Sequence, residues 1–198
     1  MSGGAALVGR LRVEAPALRL DLQIMTSDVL ISGLRDATLD IGIGRPADRH
    51  DLQGLRFEPL LPEDLAVVAS SQHPLARADT LSMVDPVEAQ WVLQPRSSPM
   101  RVPLDQMFAQ RAMPVPVHRL GTASSLVTAV MLEDSDLLAV LPLSTARYFA
   151  RHSLLCILPV ELPKILGQYG LLHQDRSDGQ HSVALAAAMI RNLVTAPH

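Results

Sequence analysis

The side chains best suited to chemistry are hydroxyls, and they recur in one kind of place. Thr26-Ser27, Ser97-Ser98 and Thr122 with Ser124-Ser125 each stand between a strand-like run and a helix-like run. A hydroxyl there caps the helix, contributing on the order of 1 kcal/mol. The same turn also aims free backbone N–H groups and the positive end of the helix dipole outward, so it can serve a small anionic or polar ligand. Capping accounts for any one of these turns. Three of them, in a sheet architecture whose ligands sit beyond the carboxyl ends of strands, point to ligand binding as well. Arg96 and Arg101 flank the second turn, where they either pair with a ligand carboxylate or stand in solvent, and they rank below the hydroxyls.

Catalytic and metal chemistry have less support. The histidines at 50, 73, 118, 152, 173, 181 and 198 form no i,i+4 pair on a helix and have no cysteine at zinc spacing. There is no G-x-S-x-G, and Glu133, Asp134 and Asp136 crowd one loop in the manner of a solvated turn. The expectation is a protein that is not an enzyme, with no resident metal and no cofactor. GIGRP, residues 42–46, has the look of a phosphate loop. A phosphate cradle, however, must open a helix, and Pro46 followed by the polar ADRHDLQG does not. Close packing of a strand against a helix is the expected role of these glycines.

Composition narrows the classes further. A net charge of −3 and a pI near 6.1 supply no basic field for duplex phosphates, so the chain alone is not expected to bind DNA. Cys156, the single cysteine, sits in the apolar LLCILP and suits a reducing compartment. No apolar run approaches 18 residues, and the N-terminus lacks a signal-peptide core, which predicts a soluble cytoplasmic protein without membrane association. Aromatic content of 3% makes sugar stacking a poorer prospect than recognition of a carboxylate or small polar group.

These residues need elements to position them. LRLDLQIM, residues 18–25, alternates with a period of two and predicts a strand; VLISGLRDA then predicts a helix and LDIGIG a second strand. Further strands are predicted at 65–70, 91–95, 117–121, 137–142, over LLCILP, and at 165–173. Helices are predicted at 103–112, 126–132, 143–152 and 182–194. Strand and helix alternate throughout, and no Gly/Ser-rich linker divides the chain, so a second lobe must be inserted into the first.

The order of these segments resembles the effector-binding domain of LysR-type transcriptional regulators, similar in fold to type 2 periplasmic binding proteins. The resemblance runs through LRLDLQIMTSDVLISGLRDATLDIGIGRP, LRFEPLLPEDLAVVASSQHPLA, WVLQPRSSPMRVPLDQMFAQRAMP, HRLGTASSLVTAVMLEDSDLLAVLPLSTA and GLLHQDR. It implies an α/β fold of two Rossmann-like lobes: lobe I over 1–67 and 161–198, with lobe II, 68–160, inserted between. The first strand of lobe I and the family's winged helix-turn-helix segment are both expected to be missing from this chain. The resemblance also makes DIGIGRP a central strand of lobe I. It further implies that Thr26, Ser27, Ser97, Ser98, Thr122 and Ser124 face a cleft between the lobes that takes a small anionic or polar effector. A homo-oligomer, dimer or tetramer, is implied too, with segment 18–25 and segments within 117–132 as candidate surfaces. DNA would be reached only through a helix-turn-helix domain.

Three functions therefore compete. The first is a non-enzymatic, ligand-sensing module of a transcriptional regulator. The second is a solute-binding receptor of a transport system, which needs an export signal. The third is an α/β hydrolase or transferase, for which no nucleophile and base stand out.

Overall fold

A computed structural model describes residues 9, 11–46, 50–60, 64–77, 81, 89–96, 98, 101–110, 112–115, 118–160, 162, 169–175 and 181–195. Residues 11–14 are helical; after them come α1 (Ser27–Arg35), β1 (Ile41–Gly44), β2 (Leu55–Pro59), β3 (Leu65–Ala69), β4 (Gln90–Leu93) and α2 (Arg101–Gln110). There follow β5 (His118–Gly121), α3 (Ser125–Glu133), β6 (Leu137–Pro142), α4 (Leu143–Arg151), β7 (Cys156–Ile157), β8 (Gly170–Gln174) and α5 (His181–Thr195). The chain divides into two compact units, Met1–Pro62 with Gly167–His198, and Glu63–Leu166.

In the first unit the sheet order is β1-β8-β2, with β8 antiparallel to both neighbours. Successive side chains of a strand point to opposite faces, so Leu171 and Leu172, both wholly buried, serve two different layers. Leu171 packs with Ile41, Ile43, Leu11 and the Ala187, Met189 and Ile190 stripe of α5. Leu172 packs with Leu55, Phe57 and the Ile31 and Leu34 face of α1.

In the second unit the sheet order is β5-β4-β6-β3-β7. Its strands alternate between two cores in the same way. Val67, Trp91, Leu93, Leu138 and Val140 meet Leu104 and Phe108 of α2 on one side. Ala66, Val68, Val92, Ala139 and Leu141 meet Ala129 and Leu132 of α3 and Ala146 of α4 on the other. A sheet covered on both faces reads as near-continuous apolar runs, which is why LAVVA and LLAVLP lack a polar face.

Two expectations need correction. Residues 18–25 are not in a sheet: no strand pairs with them among the described residues, and Leu20, Leu22 and Ile24 are 44%, 68% and 90% exposed. Alternation makes a strand only where a neighbour accepts its backbone hydrogen bonds. Secondly, the GIGRP strand is not central; β1 pairs with β8 alone among the described strands. The compact units divide at 62/63 and 166/167, which puts β3 in the second. The physical reason is that β3 already pairs with β6 and β7, and the Leu158 N–H bonds the Val67 carbonyl at 2.9 Å. The sequence also gave no warning of β2, whose LRFEP mixes charge and proline into a strand that borders β8.

Candidate functional site

β4 runs parallel to both β5 and β6. Their carboxyl ends, Leu93, Gly121 and Pro142, therefore lie along one edge of the second unit's sheet, and a helix starts beyond each. The first two ends are tied together by a hydrogen bond from the Thr122 N–H to the Leu93 carbonyl, 3.2 Å. This edge is the best-formed candidate for a ligand site, because parallel strands present turn N–H groups and helix N-termini together.

Thr122 and Ser124 are half-buried here. Ser124 is the N-cap of α3, its Oγ accepting from the Val127 N–H at 3.3 Å, and Thr122 Oγ1 accepts from the Ser124 N–H at 3.1 Å. Both oxygens act as acceptors in these bonds, which leaves each hydroxyl proton to donate. Ser98 differs: it is 4% exposed and its hydroxyl donates to Gln94 Oε1 at 2.8 Å. Its N–H bonds the Pro95 carbonyl at 2.9 Å and its carbonyl takes the Arg101 N–H at 2.8 Å, so Ser98 shapes the turn from within. Ser97 lies outside the described residues.

The hydroxyls of the first unit have their own setting. Thr26 is the N-cap of α1 but makes no side-chain bond to the helix. Instead its side chain hydrogen-bonds the Asp28 carboxylate and, with the N–H groups of Val29 and Asp28 contributing, holds that carboxyl below its usual range. Ser27 is half-buried, its Oγ 3.5 Å from where a Cβ on Gly44 would stand. An ionised Asp28 in the first turn already complements the α1 dipole and disfavours an anion there. The first turns of α2 and α3 carry no acid.

Some site residues were legible only in three dimensions. Arg45 is 5% exposed, and its guanidinium lies 5.5 Å from the centroid of the Tyr169 ring, a cation–π contact that settles the basic residue of GIGRP in the fold of its own unit. Arg101, left open between ligand and solvent, is 2% exposed. Ser144, at the start of α4, stands at the third strand end of the same edge; the LP before it was the available signal. Among the described residues, no group of three or more His, Cys, Asp or Glu is placed to hold a metal ion. Among them also, no helix is long and apolar enough to cross a membrane.

This α/β arrangement is that of the ligand-binding half of a bacterial regulator class: the LysR substrate binding domain model matches residues 5–194, and the chain belongs to that family. Relatives include the HTH-type transcriptional regulator GbpR of Azospirillum brasilense, 28% identical over 80% of this chain and 46% of its own length. The HTH-type regulator GalR of Pseudomonas putida is 30% identical over 94% of this chain and 47% of its own. The chain thus spans about half the length of these curated relatives. Among solved structures, the effector binding domain of QuiR in complex with shikimate superposes with a TM-score of 0.80 at 16% identity, covering 96% of this chain and 90% of that one. The Synechocystis CcmR regulatory domain in complex with 2-PG gives 0.78 at 16% identity, again over 96% and 90%. At that identity the likeness is one of fold: that of LysR effector-binding domains, akin to type 2 periplasmic binding proteins.

Proposed function

We propose that this chain is the non-enzymatic, ligand-sensing part of a cytoplasmic transcriptional regulator, and that a small anionic or polar metabolite is its signal. The observation that carries the reading is the joining of two hydroxyl turns at the parallel edge of β4 and β5 through Thr122 and Leu93. The effector contacts proposed are Thr122, Ser124, Ser97 and Ser98, together with Thr26 and Ser27. The hydroxyl protons that Thr122 and Ser124 have left to donate, and the acid-free helix starts behind them, favour the second unit for the anionic part of the effector. That QuiR holds shikimate and CcmR holds 2-PG supports a small metabolite as the class. A transport receptor is not favoured, since the relatives are HTH-type regulators.

Two further parts of the reading concern assembly. DNA is reached through a helix-turn-helix domain, in line with the relatives' description. The chain forms a homo-oligomer, and support for this comes from the apolar side chains that the second unit leaves in water: Leu120, Leu126 and Val130 are 43%, 64% and 63% exposed. In the first unit, Leu22 and Ile24 are likewise exposed.

The test is a thermal-shift screen over small carboxylates and polar metabolites, shikimate included, followed by calorimetry. A ligand at 100 times its dissociation constant stabilises by about 2.7 kcal/mol. Thr122→Ala and Ser98→Ala are each expected to weaken a confirmed effector by about 1–3 kcal/mol. Unchanged affinity in both would return these hydroxyls to capping and turn formation only.

A further inference from the structure

From Arg19 to Ile24 every residue is exposed, and among the described residues none of their backbone N–H or carbonyl groups has a hydrogen-bond partner. The chain on either side is tied down. The Leu18 N–H bonds the Ala15 carbonyl at 2.9 Å, and the Thr26 carbonyl takes the Leu30 N–H at 3.0 Å. The unpaired row carries Leu20, Leu22 and Ile24 at alternate positions, the period of a strand. Unpaired backbone beside an exposed apolar stripe is a template on which another strand can build a ladder.

The polar positions select the strand that fits. Two copies of this segment meet antiparallel about a two-fold axis, as in a closed dimer, and the residue on the axis fixes the register. Centred on Asp21, the pairing sets two carboxylates face to face. Centred on Leu22, it sets Asp21 against Gln23, which brings no opposite charge. Centred on Leu20, it sets Arg19 of each copy opposite Asp21 of the other, so both of these cross-strand pairs are of opposite charge. The same register puts Leu18 opposite Leu22, and Leu20 opposite its own equivalent, on the other face. Hydrogen bonding agrees with it. When Arg19 and Asp21 are the residues that exchange N–H and carbonyl bonds, Leu20 takes the closer, non-hydrogen-bonded site and the Leu18 N–H keeps its bond to Ala15. Gln23 Nε2 donates to Asp21 Oδ2 at 3.2 Å, which leaves Oδ1 for the arginine.

We infer that residues 18–22 of two copies of this chain form an antiparallel ladder centred on Leu20, a self-recognition surface of the first unit. The inference rests on the homo-oligomer reading above and specifies one surface of it. A two-stranded ribbon by itself is marginal in water. This one adds the paired charges of Arg19 and Asp21 and merges the Leu20 and Leu22 stripes of both copies, while the Ala15 turn and α1 hold the two ends of each strand. The segment whose alternation marks a strand thus finds its neighbour in a second molecule.

The test uses the whole chain. In sedimentation equilibrium, Arg19→Asp and Asp21→Arg are each expected to weaken the dimer about tenfold by setting like charges opposite one another, and the double variant Arg19→Asp/Asp21→Arg is expected to recover it. In a Cys156→Ala background, Leu20→Cys should form a disulfide-linked dimer under mild oxidation. Ile24→Cys, at a more exposed position but far from the axis, should not. The side chains changed at 19, 20, 21 and 24 are all exposed, so the fold does not depend on them. No preference for cross-linking at 20 over 24, or no recovery in the double variant, would overturn the inference. A wild-type dimer that neither single charge variant weakens also overturns it, but leaves the homo-oligomer reading standing on another surface. A wild-type chain that stays monomeric at tens of micromolar sinks that reading, and this inference with it.

Discussion

Leu30 lies across Gly42 so closely that a Cβ added to the glycine would stand 2.7 Å from Leu30 Cδ1. Gly44, two residues on, would meet Leu30 Cδ2 at 2.8 Å. The alternate glycines of β1 are thus the floor on which α1 rests, and Leu30 is the side chain that occupies the space. Gly42→Ala is expected to lower stability by about 1–3 kcal/mol through overpacking, measured by urea denaturation. Leu30→Ala in the same background should give back part of that loss. Full additivity of the two changes would count against the contact, since neighbours that share one space couple.

His73 is buried and uses both ring nitrogens. Nδ1 accepts from the Leu75 N–H at 3.0 Å, and Nε2 lies 3.3 Å from the Asp136 carbonyl, which it reaches as a donor. The neutral ring therefore joins the HPLA turn to the loop before β6, bonding groups 63 residues apart. His73→Ala should cost about 1–3 kcal/mol for each backbone group left without its partner, read as a lower urea midpoint. A midpoint unchanged from wild type would show that the ring is not a structural link.

Thr26 and Asp28 predict a pH effect at the start of α1. The Asp28 carboxyl is held below the ordinary carboxylate range, first by the Thr26 side chain. A carboxyl with a depressed folded value contributes stability above its unfolded value and loses it as the pH falls through the folded one. Thr26→Ala should therefore raise the Asp28 value in an NMR titration and remove this acid-side contribution. An Asp28 titration identical in the two proteins would contradict the hydrogen bond.

Cys156 predicts the opposite slope. Burial pushes its thiol above the ordinary thiol value, against smaller opposing contributions from backbone hydrogen bonds at Ala69 and Cys156 itself. The Sγ–H donates to the Ser70 carbonyl at 3.3 Å. A group with a raised folded value contributes stability below its unfolded value and loses it as the pH rises through the folded one. Stability should accordingly fall on the alkaline side, from about pH 8.5 upward, and Cys156→Ala should flatten that fall. Alkylation by iodoacetamide at pH 8 should be slower in the native than in the urea-unfolded chain, because the thiolate is the nucleophile. Equal rates would place the thiol in an ordinary aqueous setting.

The sequence by itself determined what depends on neighbours along the chain. The apolar runs LAVVA and LLAVLP are strands because both faces meet helices, and Leu137–Pro142 is the segment that its continuous apolar run marked. The hydroxyl before α3 is a cap because the Ser124 to Val127 bond is local. The family-wide order of segments carried the inserted topology. Tertiary structure decided what depends on partners far away. Residues 18–25 have a strand's alternation but no strand beside them among the described residues, so hydrogen bonding, which needs two strands, overruled periodicity. β2 became a strand despite Arg56, Glu58 and Pro59, because β8 supplies its ladder from more than 100 residues on. Arg101 could not be told from a surface arginine by its spacing; burial of its side chain and the pairing of Nε with Asp105 are facts of packing around β4. Local pattern thus names the elements, whereas the meeting of Leu93 with Thr122 is set by which strands lie side by side.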